Sequence, residues 1–542
     1  VAGPVGSMSA QPHDKATVPP RSPAPAAPSD AGARPAVRAP AARPLAFAVD
    51  AMAGTWLAAA APAATFAGAA ADSRRVRRGE LFFALPGERV DGYDYCVAAV
   101  AAGAAAVVVD GKRGVPPALQ AAAAAGDAPI PIIGVADPLA ALGDLARAVR
   151  NLFTGRVVGI TGSNGKTTTK ELTAAALRPA GAVLRTEGSY NTEIGMPLTI
   201  LTAAGDEAFW VLEMAMRGRG QIALLADIAR PHVGVITNVA GAHLGLLGSI
   251  EEVARAKGEL FAALGDEGIA ILPGGDVLIE AQARHLPESR KLRFDGGAGV
   301  GAFASAGAGE RPAAVTGPRD VTILETLPAG MTGQIVRYAV RGQPVVARLP
   351  LAGLHNARNG AAALAVAAAL GLPAPAAALG LADTTLPPHR SFPMRVAGRV
   401  VLDDCYNANP ASMRAALAAV VAAARASTAA VEGRAFAVLG DMLEIGGDER
   451  ELHRSIGREA ASVLAGLAGV GALGAEIAAG AREAGLPEAR AITGDDPVAA
   501  ARALAAWTRP GDWILVKASR GMRLERAVDA LVEEFRKRPG MT

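Results

Sequence analysis

Residues 156–171 read RVVGITGSNGKTTTKE. A short β-branched run enters a glycine turn, and a helical stretch begins at Lys166 and Thr167. Exposed backbone N–H groups at such a turn, together with the helix dipole, make an anion cradle. In that cradle Lys166 reaches terminal phosphates and the Thr167 hydroxyl a magnesium ion. The strict pattern G-x-x-x-x-G-K-[ST] fails, because the residue five before Gly165 is Ile160 and Gly159 lies one place too early. A turn that merely opens a helix would explain the glycines but not the strand feeding them. The stretch is read as a phosphate loop, though not of the commonest subtype.

Downstream of the loop, VLRT, AFWVLEM, HVGVIT and GIAIL are strand-like runs separated by helical segments, a doubly wound α/β pattern. Residues 296–350 interrupt it with Gly/Ala-rich sequence and then the β-rich runs TILETL, GQIVRYAV and PVVARLPL, before an Ala-rich helix over 356–370. From Arg399 the alternation resumes as RVVLDD, a helix to Ala424, RAFAVLGD, a helix, WILVKAS and an amphipathic helix to Arg538. Upstream, residues 72–150 alternate strand, helix and strand, which indicates a small α/β domain. Residues 1–44 are Pro/Ala-rich without apolar periodicity and read as a disordered tail. The chain opens on Val, so its start is read at Met8 or at an unusual initiation codon. Leu45 to Ala71 imitates a signal peptide, but Asp50 interrupts it, and the stretch reads better as a helix opening the first folded unit. The expected division is a tail (1–44) and three α/β domains (45–152, 153–386 and 387–542).

Composition narrows the function classes. Eight Lys and 46 Arg face 51 acidic residues, a net charge of +3, which excludes a polybasic nucleic-acid binder. Aromatics are 4% of the chain, and no stretch of about 20 residues is both uncharged and rich in large apolar side chains, so no membrane insertion is expected. Cys96 and Cys405 cannot form a disulfide framework or a zinc cluster, which fits a reducing cytoplasm. Where Arg is the default cation, a retained Lys marks a place that needs a compact amine able to lose its proton and react.

Further candidates follow strand ends, the edge where open α/β sheets bind ligands. Glu213 closes AFWVLE and reads either as a magnesium ligand or as a capping or solvated acid. His243, in ITNVAGAHLG, reads either as structural or as functional, and a neighbouring phosphate loop moves both residues toward function. Lys257 falls on a helix, and spacing alone favours a solvated lysine there. Asn356 and Asn359 read as N-caps or as readers of a base edge. Asp403 and Asp404 lie in series after RVVL, a repulsion that needs a cationic or hydroxylated answer. Lys517, Ser519 and Arg520 end WILV and read as a polar rim or as site residues.

Together these residues resemble the Mur ligase family over about 45–538. The family's loop T-G-[ST]-x-G-K-T-[TS] matches Thr161, Gly162, Ser163, Asn164, Gly165, Lys166, Thr167 and Thr168, which accounts for the failed strict pattern. SYNTEIGMPLTIL (with Asn191 and Thr192), HNARN at 355–359 and Arg390 match as well. DSR at 72–74 (with Ser73 and Arg74), GELFFAL and the GERVDG turn resemble the family's uridine-diphosphate binding unit. The DD-x-YNANP signature, carrying Tyr406, Asn407 and Asn409, is typical of the branch that adds D-alanyl-D-alanine, and the D-N-P-R signature of the diaminopimelate-adding branch is absent. Tyr93 stands where the family often has His, Cys405 replaces a common Ser, and KASR replaces K-G-S-R.

The resemblance implies a small UDP-binding α/β domain, a central doubly wound P-loop ATPase domain and a C-terminal Rossmann-like α/β domain. It implies that Asn359 contacts adenine and that Arg390 and Asp404 serve the nucleotide. It also implies that Thr167, Glu213, His243 and an N-carbamylated Lys257 serve two Mg²⁺ ions. Lys166, Lys257, His243 and Arg390 are then the catalytic set. Ser73, Arg74, Asn191, Thr192, Tyr406, Asn407, Asn409, Lys517, Ser519 and Arg520 become substrate candidates. The implied activity is ATP-driven joining of D-alanyl-D-alanine to UDP-N-acetylmuramoyl-tripeptide through an acyl phosphate, by a cytoplasmic monomer in cell-wall synthesis. The rivals are a diaminopimelate-adding or folylpolyglutamate-type ligase and a degenerate, non-catalytic nucleotide binder.

Overall fold

The computed structural model describes residues 38–87, 90–125, 129–240, 247–295, 319–329, 333–426 and 433–537. His243, Glu88 and Arg89 of the GERVDG turn, and most of the expected tail lie outside these residues. The strands are β1 (Arg43–Pro44), β2 (Thr55–Ala58), β3 (Thr65–Phe66), β4 (Ala69–Ala70), β5 (Leu81–Phe83), β6 (Ala106–Asp110) and β7 (Ile132–Val135). Next come β8 (Arg156–Thr161), β9 (Val183–Arg185), β10 (Phe209–Glu213), β11 (Val233–Ile236), β12 (Ile269–Pro273), β13 (Lys291–Phe294), β14 (Val321–Pro328), β15 (Gln334–Val340) and β16 (Gln343–Leu349). The last are β17 (Phe392–Val396), β18 (Arg399–Asp403), β19 (Ala435–Gly440), β20 (Gly466–Val470), β21 (Ala491–Gly494) and β22 (Trp513–Lys517).

Among the described residues these strands build three main sheets, ordered β2-β7-β6-β5-β4, β16-β15-β14-β13-β12-β11-β8-β10-β9 and β17-β18-β22-β19-β20-β21. This is the three-part α/β architecture read from the sequence. β8 pairs in parallel with β10 on one side and β11 on the other. Its residues from Val157 to Thr161 are buried, as a strand covered on both faces must be. The chain reverses its winding direction about β8, so the crevice at its carboxyl end is the switch point where an open α/β sheet receives a ligand. Val158 and Ile160 point into one apolar cluster and Val157 into another, one on each side of the strand. The Ala-rich helix Leu354–Ala369 packs on the helix that begins at Lys166, its small side chains permitting close approach.

The structure differs from the sequence reading at several elements. Arg43 and Pro44, assigned to the tail, pair with Thr65 and Phe66, and the Ala41 N–H donates to the Ala203 carbonyl. KLRF, absent from the strand-like runs of the sequence, is β13, where burial of Leu292 and Phe294 outweighs two cations. β14 continues the central sheet beside β13 and carries an antiparallel β15–β16 hairpin on the sheet edge. Between RAFAVLGD and WILVKAS one helix was expected. The segment holds the helices Glu449–Ala461, Gly474–Glu483 and Pro497–Ala505 with β20 and β21 between them. GLAGV has a single β-branched residue, so its strand character comes from burial between β19 and β21 rather than from propensity.

Candidate functional site

The glycine turn closes on a helix running from Lys166 to Leu177, with Gly165 at its N-cap in the left-handed region (φ +79°). A methyl group on Gly165 would stand 2.6 Å from the Asn359 side-chain oxygen. The segment after β11 grips the loop from behind. Ser163 N–H donates to the Asn238 carbonyl, and Asn164 N–H donates to the Asn238 side chain, both at 3.0 Å. The Thr237 hydroxyl donates to the Asn164 carbonyl at 2.6 Å, and Ser163 Oγ exchanges hydrogen bonds with Ala240. The Lys166 ammonium folds back to donate to the Gly162 carbonyl at 2.7 Å. Burial lowers its pKa, Glu213 acts against this, and Arg390 adds to it.

This grip makes Gly162 testable. A Cβ there would come within 1.9 Å of Thr237 Oγ1, and the residue sits at φ +150°. Gly162→Ala is expected to cost about 1–3 kcal/mol through overpacking. If Thr237 or the loop yields, the KM for ATP should rise about tenfold, an energy of about 1.4 kcal/mol. Thermal melting and ATP titration of the rate measure both; an unchanged KM with unchanged melting would show that the loop does not depend on this packing.

Glu213, the last residue of β10, is 1% exposed. One of its oxygens accepts from the Thr167 hydroxyl at 2.8 Å and the other from the Asn191 amide at 2.7 Å. Lys170 Nζ lies 4.0 Å from the same carboxylate, pairs with Glu171 at 2.9 Å and donates to the Thr186 carbonyl at 2.5 Å. The sequence assigns Lys170 no role, and the scarcity of lysine is the one signal that marks it. Lys257, for which spacing favoured a solvated position, is instead 2% exposed. Burial and the neighbouring Lys166 charge drive its pKa well below 10.5. Among the described residues no hydrogen bond or ion pair reaches its amine.

A second group of residues faces this one. The Arg390 guanidinium carbon sits 3.8 Å from the Tyr406 ring centroid, and Arg520 lies 5.1 Å away on the same ring and donates to its hydroxyl at 3.2 Å. The Arg390 Nε is buried with no hydrogen-bond partner among the described residues. Lys517 answers the carboxylate pair seen in sequence: its ammonium meets Asp404 at 2.6 Å and donates to the Asn407 carbonyl at 2.9 Å. Asp404 also accepts from the Ser391 N–H at 2.9 Å. His355 is held neutral near pH 7, its pKa pushed down to about 4 mainly by burial, with Asp404 opposing and Lys517 and Arg358 reinforcing. Asn409 caps the helix Pro410–Arg425 in a box with Ser412, and its amide donates to the Asn164 side chain at 2.7 Å. That bond ties the third sheet's loop directly to the phosphate loop.

Other candidates sit elsewhere or are already engaged. The Ser519 hydroxyl is buried, accepting from the Leu443 N–H and donating to the Ala408 carbonyl. Thr192 turns its hydroxyl to the Gly195 N–H at 3.4 Å. Ser73 and Arg74 lie in a short 3-10 turn capped by Asp72, which also pairs with Arg74. From that turn Arg75 reaches the Tyr190 hydroxyl beside Asn191. Asn359 accepts from Thr169 and donates to Asn356, each at 3.3 Å. Thr168 is half-buried on the first helical turn, and the Thr161 hydroxyl is buried without a partner among the described residues.

Family profiles match almost the whole described body. They are the Mur ligase family catalytic domain over 65–150, the Mur ligase middle domain over 160–367 and the Mur ligase glutamate ligase domain over 389–520. The chain belongs to the Mur ligase family. It is 38% identical over 493 residues to the UDP-N-acetylmuramoyl-tripeptide–D-alanyl-D-alanine ligase of Mycobacterium bovis, covering 85% of this chain and 91% of that protein. Its fold matches crystal structure I of MurF from Acinetobacter baumannii, with a TM-score of 0.74, 27% identity, and 92% and 99% of the two chains covered. It also matches the MurF ligase of Thermotoga maritima in complex with ADP, with a TM-score of 0.69, 28% identity, and 86% and 98% covered. Among the described residues no helix of this Mur ligase is long and apolar enough to cross a membrane.

Proposed function

We propose that this Mur ligase joins D-alanyl-D-alanine to UDP-N-acetylmuramoyl-tripeptide, driven by ATP, as a cytoplasmic monomer in peptidoglycan precursor synthesis. The observation that carries the reading is the convergence of the phosphate loop and Glu213, with the buried amine of Lys257 within electrostatic reach of Lys166, in a chain so extensively similar to a ligase of that name. The tripeptide's terminal carboxylate oxygen attacks the γ-phosphorus, the bond to the bridging oxygen breaks, and ADP leaves with that electron pair. The D-alanyl-D-alanine amine then attacks the acyl-phosphate carbonyl, loses its proton, and phosphate departs.

The protein's part is positioning and charge neutralisation. Lys166 and the loop N–H groups hold the terminal phosphates, with Thr161 to Thr168 forming the cradle. Asn359, packed against Gly165, offers an amide to adenine, while Arg390 and Asp404 approach the nucleotide from the third sheet. Ser73 and Arg74 face the uridine diphosphate, and Asn191, Thr192, Tyr406, Asn407, Asn409, Lys517, Ser519 and Arg520 shape the peptide and dipeptide side. The donor set fits magnesium: Thr167 hydroxyl and Glu213 carboxylate are hard oxygens brought together at a buried strand edge. With His243 and Lys257 they would hold two ions. Magnesium, when bound, draws charge from the phosphoryl oxygens.

Lys257 fits carbamylation. Burial lowers the pKa of its amine and so favours the neutral form; the nitrogen lone pair of that form attacks CO₂ to make the N–C bond, one C–O π pair moves onto oxygen, and a proton leaves to water. The product is an oxygen ligand that no arginine could supply.

An ADP-release assay with the UDP-tripeptide present tests the reading by offering D-alanyl-D-alanine against single amino acids. ADP should form only with the dipeptide. Turnover with diaminopimelate or glutamate would overturn the substrate assignment, and no ADP with any acceptor would indicate a non-catalytic nucleotide binder.

A further inference from the structure

Asp403, the last residue of β18, is 4% exposed and lies beside Asp404, yet it takes no part in the Lys517 pair. Two side chains converge on it instead. His389 Nδ1 lies 2.7 Å from one carboxylate oxygen, and Cys405 Sγ lies 3.0 Å from the other. The sulfur is 3.7 Å from His389 Nδ1, so one donor atom from each residue falls within 4.8 Å of the others.

We propose that His389, Asp403 and Cys405 form a three-ligand site for a thiophilic divalent cation, zinc being the fitting ion, separate from the magnesium donors at Glu213. Nitrogen, oxygen and sulfur ligands with a fourth position left open are the pattern of an open tetrahedral zinc site. Bond lengths of about 2.0–2.3 Å place tetrahedral donors about 3.3–3.8 Å apart. The Sγ–Nδ1 separation already has that value, and the two hydrogen-bonded separations need only open by less than about 1 Å. Thiolate and imidazole select zinc, whereas magnesium demands oxygen donors. On binding, the thiol proton passes to water and the sulfur lone pair enters the metal bond. A carboxylate and a thiolate then balance the dication, so the buried site becomes neutral. Entry lies through His389, whose side chain is 41% exposed.

The backbone is already committed to this arrangement. His389 and Ser391 both sit in the left-handed region, at φ +64° and +48°. Such conformations cost energy that the surroundings must hold in place. The Tyr406 N–H holds the His389 carbonyl at 3.0 Å, and Asp404 holds the Ser391 N–H. Arg390 lies between these two residues, so an occupied site would fix the loop that carries it.

The test uses the full-length chain freed of metal with a chelator and titrated with Co²⁺ alone, then with Zn²⁺ in competition. One Co²⁺ per chain is expected to carry a thiolate-to-metal charge-transfer band that zinc abolishes. Cys405→Ser should remove the band and weaken binding about 100-fold or more, while Cys96→Ser, carrying the other thiol, should leave both intact. His389→Ala, a change at a partly exposed side chain, should weaken binding similarly and keeps the test decisive if Cys405→Ser does not fold. The absence of a sulfur band, or its survival in Cys405→Ser, overturns the proposal and leaves the three residues a hydrogen-bonded cluster only.

Discussion

Lys166→Ala is expected to lower the ligase rate on the order of a thousandfold or more while leaving the protein folded. Removing a single preorganised donor to a developing oxyanion costs about 10²–10³ in rate. On the proposed reading the lost group also brings positive charge to the transferring phosphoryl oxygens. The fold should tolerate the change because burial already presses the ammonium toward its neutral form and its hydrogen bonds go to the carbonyls of Gly162 and Ser163 on its own loop. Lys166→Arg should recover little. A planar fork cannot occupy the 2.7 Å contact with the Gly162 carbonyl and present one compact charge to the phosphates. Steady-state ADP release beside a thermal melt measures both effects. A rate within tenfold of the parent protein would remove Lys166 from the phosphate site.

What could be read from sequence was what is local. A strand, a glycine turn and a helix are contiguous, so Thr161 to Thr168 announced themselves, as did the strand-end position of Glu213. The pairing of Asp404 with Lys517 was half legible: two carboxylates in series demanded a cation, but nothing local said which one. Contacts across long chain separations left no trace. Asn409 reads as a helix cap because it is one, and its second bond to Asn164 depends on how two sheets meet. Strands such as β20 escaped because Gly and Ala carry little propensity and burial supplied the rest.

Lys257 shows a signal misread rather than missing. Its position alone favours solvent, yet Val253, Ala256, Leu260 and Phe261 repeat at helical intervals and Lys257 lies within that stripe. A lysine on the apolar face of an amphipathic helix either snorkels out or sits buried with a task. The scarcity of lysine in an arginine-rich chain points the same way for Lys257, while Lys170, to which the sequence assigns no role, is wholly buried 4.0 Å from the Glu213 carboxylate.

Substituting Lys257 should therefore separate stability from activity. In the unfolded chain its amine titrates near 10.5, while in the fold its pKa lies well below. Between those two values the unfolded chain binds a proton that the native chain does not. Stability consequently rises with pH across that window, and the residue's cost fades as pH approaches 10.5. Lys257→Met fills the same space without a buried amine and is expected to gain about 1–3 kcal/mol near pH 7, a gain that shrinks toward alkaline pH. On the proposed carbamate reading the same variant should lose ligase activity on the order of a hundredfold or more, since it removes the oxygen ligand that the carbamate would supply. Lys257→Ala should lose as much, but the space it leaves admits a short carboxylic acid. Added formate or acetate should restore part of its rate and none of the methionine variant's. Melting curves across pH and rates with and without the acid decide the matter. Unchanged turnover in Lys257→Ala would sink the carbamate. Loss of stability in Lys257→Met would mean that the amine has a partner in the folded chain, and that its role is structural.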